Sequence, residues 1–89
     1  MTEFIDFHRQ AWEDYKYWQT QDKKTLVKTN NLIKEIERSG SKGLGHAEIL
    51  KGELSNWSSV RIDHMNRLIY KVEDGVVVIL SCRGHYGDR

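Results

Sequence analysis

Three strand-length runs crowd the C-terminal part of the chain, at residues 55–62, 67–72 and 76–82. The links between them are only Asp63-His64-Met65-Asn66 and Glu73-Asp74-Gly75. Links this short cannot carry a crossover, so the three runs must neighbour one another as antiparallel strands. The last run reads Val76-Val77-Val78-Ile79-Leu80, apolar at every position rather than at every second one. A strand needs that pattern where both its faces are covered, which predicts a central place in the sheet.

The chain ahead of the sheet reads as helical. A short strand is expected at residues 3–7, around Phe4, Ile5 and Phe7. Ala11, Trp12, Tyr15 and Trp18 then fall at helical spacing, with Glu13, Asp14 and Lys16 on the other side. A break is expected at 19–21, after which Asp22 can cap a second helix by accepting bonds from its free amides. Leu26, Thr29, Ile33 and Ile36 form the stripe of that helix, and Ser39-Gly40 ends it. Residues 40–52 hold four of the seven glycines and predict a loop, with a short turn of helix at 47–50. The expected fold is one α+β domain over residues 1–89, ordered β-α-α-β-β-β. Two N-terminal helices pack on one face of an antiparallel sheet, and the other, concave face is left for a site.

Composition removes several classes of function. At 89 residues there is room for one modest core and no second lobe. No apolar run approaches the roughly 20 residues that span a bilayer, and the start, Met1-Thr2-Glu3-Phe4, lacks the features of a signal peptide. The single Cys82 cannot form an internal disulfide, which fits the reducing cytoplasm. Fourteen Lys and Arg stand against thirteen Asp and Glu, a net charge of +1. Bulk charge therefore gives no support to non-specific nucleic-acid binding, and any such role must come from a few well-placed residues.

Period-two geometry selects some of those residues. Arg61 and Arg67 flank the same short turn, so an antiparallel pair brings them together across the ladder. Two neighbouring guanidiniums repel unless something anionic lies between them, which suggests an anion site on the sheet. Glu48 in the glycine-rich loop and His85 near the chain end add a carboxylate and an imidazole. Cleavage of RNA by its own 2′-hydroxyl needs a base, a cation for the phosphorane and an acid for the leaving oxygen. On its own a terminal His85-Tyr86 is ordinary exposed sequence, and most small domains could offer a similar list.

Other motifs are weaker. His46-Ala47-Glu48 has the H-x-E spacing of zinc deaminases, but the matching P-C-x-x-C segment is absent and the four histidines lack ligand spacing. No metal site and no cofactor are expected. Gly43-Leu44-Gly45 lacks the pattern of a phosphate loop and reads as a flexible connection. Cys82 reads as a core residue, and Trp12, Tyr15 and Trp18 as core or partner surface. Tyr86, outside any periodic stripe, could stack on a nucleobase.

The segment Trp12-Glu13-Asp14-Tyr15-Lys16-Tyr17-Trp18 resembles the W-[DE]-D-Y-x-Y-W signature of the YoeB/Txe group of RelE-type toxins. The likeness continues through Asn31-Leu32-Ile33-Lys34-Glu35-Ile36, Gly43-Leu44-Gly45, Glu48, Leu50-Lys51, Leu54-Ser55 and Trp57-Ser58. It goes on through Arg61-Ile62 and Arg67-Leu68-Ile69-Tyr70, and closes with His85-Tyr86. The resemblance implies a RelE-like fold and ribosome-dependent cleavage of mRNA in the A site. It implies Glu48 as general base, Arg67 as the arginine that stabilises the transition state, His85 as general acid and Tyr86 as the residue that positions the RNA. Lys51 and Arg61 match basic residues near the scissile phosphate. The partners it implies are a YefM-type antitoxin, the ribosome and mRNA; a homodimer is left open.

The chain departs from the family pattern in several places. Ala47 and Ile49 stand where prolines commonly flank the glutamate. Val60-Arg61 replaces an arginine pair, Asn66 a frequent histidine, and Gly87-Asp88-Arg89 extends past the usual His-Tyr end. Two rival readings follow: a non-enzymatic inhibitor of gyrase like the ParE toxins, and a toxin relic that only binds its antitoxin. The first is opposed by the presence of the Glu, Arg and His-Tyr set; the second is kept alive by the altered flanks of Glu48.

Overall fold

The structure is a computed structural model that describes residues 4–40 and 44–84. Its elements run β1 (Phe4–Phe7), α1 (Arg9–Gln21), α2 (Lys23–Ser39), β2 (Glu48–Ile49), a 3-10 turn (Gly52–Leu54), β3 (Ser58–Arg61), β4 (Arg67–Glu73) and β5 (Val76–Ser81). The five strands lie in the order β1-β5-β4-β3-β2. Both helices cover one face, as the sequence implied. There Ala11, Trp18, Ile33 and Ile36 meet Val60, Ile62, Leu68, Tyr70, Val77 and Ile79 in one core.

The apolar last strand has the central place predicted for it. β5 is flanked by β4 and β1, and Val77, Val78 and Ile79 are buried although they alternate between faces. The link from β4 is a two-residue turn, Asp74 (φ 52°) and Gly75 (φ 76°). Two successive left-handed residues match the twist of a tight hairpin, and Gly75 takes its φ without a Cβ penalty.

Several expectations need correction. The sheet is mixed: β2 to β5 are antiparallel neighbours, but β1 pairs parallel to β5, with Phe4 opposite Val76 and Phe7 opposite Ile79. The helices carry the chain away after β1, so nothing forces that strand to return antiparallel. The expected break at 19–21 is absent, since Gln19, Thr20 and Gln21 include no residue that stops a helix, and α1 runs through Gln21. Asp22 alone separates the helices. Its amide closes α1 on the Trp18 carbonyl at 3.1 Å, and its carboxylate accepts from the Thr25 amide at 3.1 Å. Bonds from Thr25 lower the Asp22 carboxyl below its ordinary 3.8, as suits a capping anion. Residues 47–50 hold no helical turn; Glu48 and Ile49 form a short edge strand, giving β-α-α-β-β-β-β. The run at 55–62 shortens to Ser58–Arg61 because the chain first turns through Gly52–Leu54. Cys82 falls just after β5, buried as expected of a core residue. Of the aromatics of α1, Trp18 is buried while Trp12 is 46% exposed. Among the described residues no helix is long and apolar enough to cross a membrane.

Candidate active site

The face of the sheet away from the helices carries the polar residues. β2 exists to bring one of them in: Glu48 pairs with Ser59 of β3, and Ser59 in turn pairs with Ile69 of β4. Arg67 lies two residues before Ile69 and so shares its face. The Arg67 guanidinium spans this ladder diagonally. Its Nε donates to Ser59 Oγ, and its Nη2 donates to Glu48 Oε1 at 3.2 Å. The Arg67 side chain is 15% exposed and that of Glu48 75%. The cation is thus lodged in the sheet while the carboxylate faces water. An ion pair so open adds little stability; what it fixes is the separation of the guanidinium and the carboxylate.

The backbone of Arg67 contributes as well. Its amide donates to the Gly84 carbonyl at 3.0 Å, and the Gly84 amide donates to Asn66 Oδ1 at 2.8 Å. Asn66 is fixed by Asp63, whose Oδ1 accepts from the amides of Met65 and Asn66, each at 2.8 Å, and from Asn66 Nδ2 at 3.1 Å. Partial burial raises the Asp63 carboxyl, but the bonds from Met65 and Asn66 outweigh it and leave the group below 3.8. Two residues earlier, α1 grips the same segment. The Cys82 amide donates to buried Asp14 Oδ2 at 3.0 Å, and Trp18 Nε1 donates to the Cys82 carbonyl at 2.8 Å. The Asp14 and Trp18 of the helical signature therefore anchor the chain at Cys82, just after β5.

Of the six residues singled out from the sequence, the structure brings Glu48 and Arg67 together. Arg61 is in register with Arg67, as the turn required, but the two guanidiniums part. Arg67 turns to Glu48, and Arg61 is exposed along a groove with Lys28, Asn31, Leu32 and Glu35 of α2. Lys51 is exposed just beyond β2. His85 and Tyr86 lie outside the described residues. Ser59, Asn66 and Asp63 had not been singled out. Ser59 was discoverable, since period two puts it on the face of Arg61; the reach of Asn66 to Gly84 left no local signal. On the same face, the Lys71 ammonium stands 4.7 Å from the Trp57 ring centroid, with the His8 ring edge-on to the indole at 5.6 Å. Among the described residues, no group of three or more His, Cys, Asp or Glu side chains could hold a metal ion.

Residues 7–86 match the YoeB-like toxin family of bacterial type II toxin-antitoxin systems. The chain belongs to this family. The toxin YoeB of Streptomyces coelicolor is 45% identical over 82 residues, covering 92% of this chain and 98% of that protein. Among solved structures, a YoeB from Staphylococcus aureus in a heterotetrameric YoeB-YefM toxin-antitoxin complex superposes with a TM-score of 0.84. It is 46% identical and covers 97% of this chain and 99% of that one. A Staphylococcus aureus YoeB dimer gives a TM-score of 0.85 at 46% identity, covering 97% of this chain and all of that one. This YoeB-like toxin thus has the expected helices-on-sheet architecture, and the family match spans all six positions singled out above.

Proposed function

We propose that this YoeB-like toxin is an endonuclease that cuts mRNA in the ribosomal A site and so stops translation. The observation that carries the reading is the placement of Arg67. Its guanidinium reaches Glu48, and its amide binds Gly84, the residue directly ahead of His85 in the chain. A base, a cation and an acid are the three groups that self-cleavage of RNA requires.

In this reading Glu48, open to water, takes the proton of the substrate's 2′-hydroxyl. The 2′-oxygen bonds to phosphorus, and the bond from phosphorus to the 5′-oxygen breaks. Arg67 releases Glu48 and bonds the charged phosphorane oxygens instead, a fork of donors suited to phosphate. His85 protonates the departing 5′-oxygen, and Tyr86 orients the RNA. Lys51 and Arg61 contact the flanking phosphates. The chemistry calls for neither metal nor cofactor. By the example of the Staphylococcus aureus complex, a YefM-type antitoxin is the restraining partner, and a homodimer is a further assembly to test. The site of action is the cytoplasm, where ribosomes work.

The products test this. The downstream fragment should carry a 5′-hydroxyl, and the upstream one a cyclic or 3′-phosphate. A 2′-methoxy group at the cut site should block the reaction, since the nucleophile is gone. EDTA should leave the chemistry intact on ribosomes that remain assembled. A 5′-phosphate on the downstream fragment would rule the mechanism out.

A further inference from the structure

The turn between β3 and β4 does more than reverse the chain. A turn that only reverses direction satisfies its own amides, as Asp63 does for Met65 and Asn66. Here the Asn66 Oδ1 also takes the amide of Gly84, 18 residues away in sequence. Asp63 grips Asn66 Nδ2 with both carboxylate oxygens, at 3.1 and 3.2 Å, which fixes the orientation of the amide and leaves Oδ1 pointing at Gly84. With the Arg67 amide on the Gly84 carbonyl, both backbone groups of Gly84 are bonded to two adjacent residues, the last of the turn and the first of β4. Gly84 has φ +68°, a left-handed conformation that suits glycine and that these bonds select.

We propose that Asp63 and Asn66 are positioning residues that act through Gly84 on the chain end. This deepens, and rests on, the reading of His85 as the acid. Residue 85 is one peptide link, about 3.8 Å, from a residue bonded on both sides. Arg67, which would hold the phosphate, belongs to the same set of bonds. The relay therefore fixes where the chain leaves Gly84 relative to Arg67, and a misplacement of a reacting group by about 1 Å can slow a reaction about 100-fold.

Asn66→Ala should lower kcat on A-site message by about 10- to 100-fold, with KM within about twofold. In a His85→Ala background the same substitution should change the residual rate by less than about twofold, because a residue that acts through His85 has nothing left to position. The exchange swap Asp63→Asn with Asn66→Asp keeps one donor and one acceptor between the two side chains and an oxygen for Gly84. It should recover most of the lost rate. The Gly84 amide should exchange with solvent faster in Asn66→Ala than in wild type, and this is read without any activity. Unchanged exchange, or an equal loss in both backgrounds, would overturn the relay. If His85→Ala itself costs nothing while the Gly84 amide is deprotected in Asn66→Ala, the reading of His85 is what fails, and the proposed action through it falls with it.

Discussion

Replacing His85 with alanine should slow A-site cleavage by about 100- to 10,000-fold, the range typical for loss of a general acid. The 5′-oxygen of a nucleoside is a poor leaving group unless it is protonated as it departs. Histidine, which ordinarily titrates near pH 6.5, is the side chain most able to hold that proton at neutral pH and still release it. The fold should survive. The bonds that hold the segment after β5 fall on the backbone of Cys82 and Gly84, ahead of the substituted residue. The core is built from α1, α2 and the sheet. Single-turnover cleavage and thermal unfolding, measured on the same preparation, separate the two effects. A rate within twofold of wild type would remove His85 from the mechanism.

Arg67→Ala should be comparably damaging, by about 100- to 1,000-fold, the usual cost of losing one preorganised donor to a developing oxyanion. Its side chain bonds both Ser59 and Glu48. Removal therefore deletes the proposed phosphate contact and frees the carboxylate together. Arg67→Lys should recover part of the rate, because it restores the charge, but not all of it. A single ammonium cannot reach Ser59, Glu48 and a phosphate oxygen with the rigid fork of a guanidinium. Lysine performing as well as arginine would mean that charge alone matters at this position. Loss of the open Glu48 pair should cost little stability, but Arg67→Ala also removes the Nε bond to buried Ser59 and should cost about 1–3 kcal/mol, so rates are compared on protein shown to be folded.

Much of this arrangement was legible in residues 55–82. Short links forced antiparallel neighbours, the valine run demanded a central strand, and the turn brought Arg61 and Arg67 into register. The cap at Asp22 was legible for the same reason: its physics is confined to one turn of chain. What could not be read depended on distant parts meeting. Phe4–Phe7 is too short to declare its partner, so its parallel pairing with β5 had to be seen. Glu48 and Ile49 are a strand only because Ser58 and Ser59 offer them an edge; locally they looked like helix. The separation of the two arginines was hidden too, because it depends on Glu48 arriving from β2 to draw one of them away. The Asn66 bond to Gly84 spans the whole β4-β5 hairpin. The proposed roles of His85 and Tyr86 rest on family resemblance, not on spacing.

The central claim is that the ribosome supplies what this small, nearly neutral protein lacks. Binding RNA unaided requires several phosphates to be neutralised. The chain carries 14 Lys and Arg against 13 Asp and Glu, and its most central cation, Arg67, is already paired with Glu48. A free strand must also be bent until the 2′-oxygen, phosphorus and 5′-oxygen align, an entropic cost that a codon fixed in the A site has already met. The most direct test is the cleavage rate of one message, naked and in the A site, at about 150 mM salt. The account predicts rapid cutting of the A-site message and slow cutting of the naked strand; equal rates would contradict it.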